Sequence, residues 1–360
     1  MNNRAIRCGL AVCALAASSG LGAQDAGSEL RIKLRPTDGS VVSGALVALL
    51  DARDSVVTEG LASYEGVRVL FAPRGAYRIR VRRIGYLPFV SSELSLPRAG
   101  ELVLNVESPR VMLESIVVTS TSQCSRNDPN AQALSTVWDE IAKALRSSQL
   151  TLDDLRGLGR AHKYRRELST NGRVIAGDSS EFAISNRRPF GSIDPGTLAT
   201  EGYVIGDQDK GWTYYGPDET VLLSDPFAAT HCFRLVRQRD RPAQIGVSFE
   251  PAPDRKIADI KGVLWVDQKT SELREISFRF VNAGPMTRYE AGGFTRFRRA
   301  PSGAWLVDEW KLSAPRLELR EAPNVTVYGI AKIDRLLVVI GRLDTGGGII
   351  GPETAERTSP

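Results

Sequence analysis

The chain has 360 residues, 42% hydrophobic and 25% charged, with a formal net charge of +5, four cysteines and two histidines. That charge is too small and too dispersed for a nucleic-acid surface, and so few histidines leave little from which to build a zinc centre. The length suggests two folded units.

Residues 1–23 read as a secretory signal peptide: Arg4 and Arg7, an apolar stretch from Cys8 to Ala17, then small residues up to an expected cut after Ala23. Val12 occupies the position where a lipoprotein signal carries a small residue before its cysteine. Cleavage would remove two arginines and no acid, lowering the net charge from +5 to +3 (45 basic against 42 acidic). It would also remove Cys8 and Cys13. The remaining Cys124 and Cys232 are expected to pair in an oxidising compartment, closing a loop worth ~4 kcal/mol in the chain-entropy model; two buried thiols are the alternative. No later segment approaches the ~18 apolar residues of a membrane helix.

Residues 28–108 alternate apolar and polar side chains between turn signals, which predicts about seven short strands in an antiparallel β-sandwich. The stretch "VSGALVALLDARDSVVTEGLASYEGVRVLFAPRGAYRIRVRRIGYLP" resembles the carboxypeptidase regulatory-like domain, a transthyretin-like sandwich. The features that match are Gly44-Ala45 before a Val-rich strand, Gly66 before "VRVLF", and the run ending in Gly85-Tyr86. "SYEG" departs from the Thr-Asp or Asn-Gly turn more usual there. The peptidases that lend the family its name carry zinc in a separate domain, and His162 in "HKYRRE" lacks the His-x-x-Glu pair, so the resemblance implies no peptidase. Arg78, Arg80, Arg82 and Arg83 share one stretch, with two readings open: a solvated face, or a docking strip for an acidic partner or lipid headgroups.

Residues 109–160 are expected to be a linker containing a helix at 129–146, with Asp128 as its cap, Pro129 in the first turn, and Leu134, Val137, Trp138, Ile141 and Leu145 on one apolar face. Ahead of that helix, "LESIVVTS" resembles the junction leading into the plug of TonB-dependent outer-membrane receptors. The residues after Thr119 are too few for a plug and a barrel of some twenty strands, so the resemblance is confined to the front end. It implies a partner-binding segment within 113–120, centred on Ile116, Val117, Val118 and Thr119, and a location in the periplasm or at the periplasmic face of the outer membrane of a Gram-negative-type bacterium, with peripheral membrane contact possible.

Residues 161–345 return to strands and are expected to form a curved antiparallel sheet. "KGVLWVD" and "LREISFRFV" predict a hairpin with Val263, Trp265, Ile276 and Phe278 inward. That hairpin is similar to those of periplasmic half-barrel lipoprotein carriers. Residues 346–360 are expected to be a flexible tail. "LDTGGG" contains the Asp-Thr-Gly of aspartic proteases, but Asp344 lacks a partner loop. His231 and Cys232, adjacent on a strand, point to opposite faces. Trp212 and Tyr214 in "GWTYYGPDE" are candidates for an aromatic binding patch. No catalytic residue, metal ligand or cofactor is assigned. The expected function is a non-catalytic binding or scaffolding role; the alternatives are a carrier of a lipid or other hydrophobic ligand on the C-terminal sheet, and a hydrolase without a recognisable motif.

Overall fold

The computed structural model describes residues 27–37, 39, 42–107, 110–116, 130–156, 159–184, 191–207, 211–289, 291–300, 302–327 and 331–350. The expected signal peptide, Val117, Val118, Thr119, Cys124, Asp128, Pro129 and residues 351–360 lie outside these.

The first unit comprises β1 (Ser28–Pro36), β2 (Leu46–Leu50), β3 (Val56–Leu61), β4 (Val67–Ala72), β5 (Gly75–Arg82), β6 (Phe89–Val90), β7 (Leu94–Leu96) and β8 (Leu102–Val106). One layer runs β4-β1-β8 and the other β3-β2-β5, with β6 and β7 both on the free edge of β5. Period-2 alternation sends Leu30, Ile32 and Leu34 of β1 against Val47, Leu49, Ile79 and Val81 of the facing layer. The strand count is eight rather than seven because the edge strand is interrupted. At the break, the Ser91 hydroxyl accepts the Ile79 N–H at 2.9 Å while the Ser91 N–H donates to the Ile79 carbonyl at 2.9 Å. The all-antiparallel expectation also needs correcting. β8 runs parallel to β1, from Ile32 opposite Leu102 to Pro36 opposite Val106, an arrangement that the long path through β2–β7 permits.

The second unit begins with α1 (Ala131–Asp154) and continues with β9 (Arg160–Leu168), β10 (Val174–Ala183), α2 (Pro195–Glu201), β11 (Val204–Asp207), β12 (Gly211–Tyr214), α3 (Glu219–Leu222), α4 (Asp225–Thr230), β13 (His231–Val236), β14 (Gln244–Pro251), β15 (Asp259–Asp267), β16 (Leu273–Val281), β17 (Gly292–Arg299), β18 (Trp305–Val327) and β19 (Ala331–Ile350). Nine of these strands form one antiparallel sheet in the order β10-β9-β19-β18-β17-β16-β15-β14-β13. Bulges at Trp265/Val266, Arg296/Phe297 and Arg316/Leu317 bend it.

Three expectations change here. α1 runs eight residues past the predicted end, and its N-cap Asn130 makes no side-chain cap bond. It is no linker: Val137, Ile141, Ala144, Leu145 and Leu152 share a core with Ile245, Leu264 and Trp305 of the sheet. Each buried Val, Ile or Leu side chain of that set contributes about 1.5–3 kcal/mol. Second, residues 346–350 are no tail. Gly346, Gly347 and Gly348 sit in β19, between β18 and β9. A Cβ at Gly348 would collide with the Asp308 carbonyl oxygen and one at Gly347 with that of His162, so the glycines permit close packing of a central strand. Third, on β15 the residues facing α1 are Leu264 and Val266, whereas Trp265 is buried on the opposite face with Arg241 stacked 4.9 Å from its ring.

Candidate functional site

The arginine row of β5 is divided between the second unit and the surface of the first. Arg82 pairs with Asp139 of α1, and Arg78 with Asp54 at the β2–β3 turn. Arg146 of α1 reaches back to Glu59 of β3 at 2.6 Å. Burial and the neighbouring Arg82 hold the Arg80 guanidinium below its usual value; Arg83, lowered first by burial, stacks 4.3 Å from the Tyr86 ring. Between these pairs lies a sealed contact. Lys143 is fully buried and donates to the Tyr86 carbonyl at 2.7 Å and to Glu140 at 2.6 Å; the other Glu140 oxygen accepts the Gly85 N–H at 2.5 Å. Burial raises the Glu140 carboxyl above its ordinary value, against the opposing pull of Lys143. The Gly85-Tyr86 turn, where Gly85 has φ +80°, is therefore the plug of an interface between the two units.

The segment expected to reach a partner is partly engaged within the chain. Leu113 is fully buried in the second unit's core, and the Ile116 carbonyl accepts a hydrogen bond from Arg237 at 2.8 Å. Cys232 is buried on β13.

Two charged clusters lie inside the second unit. His231 Nε2 stands 3.2 Å from Asp259 Oδ1, with both side chains inaccessible to solvent. Arg255 also pairs with Asp259 and donates to the Ala199 carbonyl at 2.6 Å, tying β15 to α2. This enclosed His-Asp-Arg set links β13, β15 and α2. Asp344 has Lys311 at 2.7 Å, Ser313 at 2.5 Å and Arg342 at 3.0 Å. Burial alone would raise its carboxyl, but these three hold it below the ordinary carboxylate value.

The open feature is a groove of about 1190 Å³ on the sheet face that α1 covers only in part. Cross-strand register lays out its floor. One row of opposed residues runs Leu235, Val247, Leu264, Ile276, Thr295, Trp310, Gly347 and Lys163. The next runs Phe233, Phe249, Gly262, Phe278, Gly293, Leu312, Thr345 and Arg165. At the β13–β16 end these rows are apolar and largely buried in the core; from β17 onward the half-exposed Thr295, Trp310, Leu312 and Thr345 and the exposed Lys163 line the groove. Gly293 leaves room for the Phe278 ring, whose Cζ would lie 2.9 Å from an added Cβ.

The roof is the β11–β12 hairpin and the loop after it. Tyr215 N–H donates to the Tyr203 carbonyl at 2.9 Å, and Gly216 comes down onto Phe278 and Leu312, at 3.0 and 3.5 Å from where its Cβ would stand. Both candidates from "GWTYYGPDE" line the groove. Trp212 is half-buried, and Tyr214 meets Phe280 edge-on at 5.3 Å, its phenol pushed up to about 12 by burial. Asp194 and Asp218 also line it, but as helix caps: Asp194 accepts from the Thr197 N–H at 2.8 Å, and Asp218 from the Val221 and Ser192 N–H groups at 2.9 and 2.8 Å.

The structure thus gathers Trp212 and Tyr214 into one site, while Arg82 pairs across the interface with Arg80 beside it, Arg78 stays with Asp54 at the surface of the first unit, and the Ile116 carbonyl is held by Arg237. Trp310, Leu312, Thr345 and Lys163 went unassigned from sequence; the alternation of Trp310, Leu312 and Ala314 along β18 was the available signal, but only the register places them opposite Thr345 and Gly347. Among the described residues no cluster of His, Cys, Asp and Glu is arranged to hold a metal, and no helix is long and apolar enough to cross a membrane.

No protein-family model and no curated protein matches the sequence. Among solved structures, the Bacillus anthracis TIE protein aligns with 88% of this chain and 48% of its own, at 11% identity and a TM-score of 0.20. The chain spans about half the length of that protein, and at this TM-score the alignment carries no inference.

Proposed function

We propose that this chain is an exported, non-catalytic binding protein of a bacterial envelope that holds a largely apolar ligand in the groove of its second unit. The observation that carries the reading is the continuation of two core rows of the sheet beyond the cover of α1, under an aromatic roof. Apolar floor and a few fixed polar groups are the usual make-up of a ligand pocket. The sandwich, joined through Glu140 and Lys143, serves as a rigid base. Export and a periplasmic location rest on the N-terminal pattern and on the front-end resemblance; a Cys124–Cys232 disulfide belongs to the same reading. Within 113–120, Leu113 is committed to the core and the Ile116 carbonyl to Arg237, so the groove is preferred over that segment as the binding site.

The test is purification of the full chain from the periplasm of a Gram-negative host, followed by native mass spectrometry and solvent extraction. A bound apolar molecule that is absent from the groove-filling variant Thr345→Trp supports the reading. An empty protein that also fails to bind any hydrophobic probe rejects it.

A further inference from the structure

We infer that the ligand of this groove is a single-chain amphiphile with an anionic head, a carboxylate or a phosphate, seated against Lys163. The inference rests on the reading of the groove as a ligand site and adds the polarity of the ligand. Both floor rows carry a cation on β9, Lys163 after Trp310 and Gly347 and Arg165 after Leu312 and Thr345, and they finish on the edge strand β10 with Ser180 opposite Lys163 and Asp178 opposite Arg165. Gly347 offers no side chain between Trp310 and Lys163, so the ammonium has a clear path toward the Trp310 end of the floor. Arg165 leans toward Glu167 at 3.7 Å. Lys163 is exposed and makes no ion pair or side-chain hydrogen bond with any described residue, yet it lines the groove.

The acidic lining residues argue less for a cationic head than their number suggests. Both Asp218 oxygens are taken by backbone N–H groups, Asp194 is engaged at the N-terminus of α2, and Glu219 is buried and already partnered. Lys311 is likewise committed to Asp344. Among the groove-lining residues the charge left available is therefore that of Lys163, while Arg165 and Asp178, opposed across β9 and β10, lie outside the lining; an amphiphile that lays its chain along Leu312 and Trp310 brings its head to Lys163. Ser180, opposite Lys163 on the edge strand β10, supplies a hydroxyl beside it.

The test is titration of the full chain, below the critical micelle concentration, with probes that share a twelve-carbon chain: laurate, dodecyl phosphate, neutral monolaurin and dodecyltrimethylammonium. Acetate and inorganic phosphate serve as heads without chains. Binding is read by calorimetry and tryptophan fluorescence. We expect the anionic pair to bind about fivefold more tightly than monolaurin, the scale of one partly exposed ion pair, with laurate against dodecyl phosphate telling which head is preferred. Lys163→Gln, a change at an exposed position, should erase that preference, so that the anionic probes bind the variant no more tightly than monolaurin does. Equal binding of neutral and anionic probes, tighter binding of the cation, or a preference that survives Lys163→Gln would overturn the inference while leaving the groove a ligand site. Inorganic phosphate binding as tightly as dodecyl phosphate would also overturn it, by showing an anion site without a chain. Failure of all four amphiphiles would remove the ligand-site reading itself.

Discussion

Substituting Lys143 by methionine offers a direct measure of how the two units are held. The side chain is fully buried, and the substitution deletes donors to the Tyr86 carbonyl at 2.7 Å and to Glu140 at 2.6 Å while keeping most of the volume. It leaves the Glu140 carboxylate, 1% exposed, without its counter-charge. Breaking a buried pair from one side costs about 3–5 kcal/mol. The double variant Glu140→Gln/Lys143→Met should cost only about 1–2 kcal/mol, because the glutamine oxygen still accepts the Gly85 N–H, the partly exposed Asp139 loses Lys143 at 3.1 Å but keeps Arg82, and the Tyr86 carbonyl is the buried group left without its donor. Urea denaturation followed by fluorescence and circular dichroism measures both. The pH dependence supplies a second check. Burial raises the folded Glu140 carboxyl and Lys143 opposes that rise, so Lys143→Met should raise it further. A carboxyl raised on folding penalises the ionised form, and the penalty fades as pH falls through the folded value. The deficit of Lys143→Met should therefore be larger at pH 8 than at pH 5. The reasoning is refuted if Lys143→Met lies within 1 kcal/mol of the parent, or if the double variant is no more stable than the single one.

Other outcomes follow from the same structure. Gly348→Ala should destabilise the second unit by about 1–3 kcal/mol, since its Cβ would meet the Asp308 carbonyl; a frayed tail would show no change in the urea midpoint. Asp344→Asn should cost about 1–3 kcal/mol at pH 7. Because the folded Asp344 carboxyl is lowered, its stabilising contribution is present above the ordinary carboxylate value and is lost as pH falls through the folded one, so the gap between variant and parent should close in acid. The mature chain isolated without reductant should resist alkylation at Cys124 and Cys232 and gain two labels after reduction; labelling of both before reduction would sink the disulfide.

Much of the architecture follows from local pattern. Alternation in "SELRIKL" and "AYRIRVRR" was enough to specify strands with one apolar face, and the apolar stripe of "ALSTVWDEIAKAL" was enough for a helix, because periods of two and of 3.6 are properties of the chain itself. The same local reading made Gly346–Gly348 a tail and the β5 arginines an open strip. The tail does not survive, because glycine looks flexible until a neighbouring strand makes its missing Cβ necessary; the arginine row stays at the surface only in part, because Asp139, on a helix from farther along the chain, takes Arg82 while Arg78 remains with Asp54. Trp265 shows the limit within a single strand. Its size forecast burial, but the register of β15 against β14 and β16 decided which face it entered. The groove belongs wholly to tertiary structure. Lys163, Thr345, Leu312 and Phe278 come from four strands spread over some 180 residues of sequence, and only the pairing order of the nine-stranded sheet, with α1 stopping short of its far end, brings them to one floor.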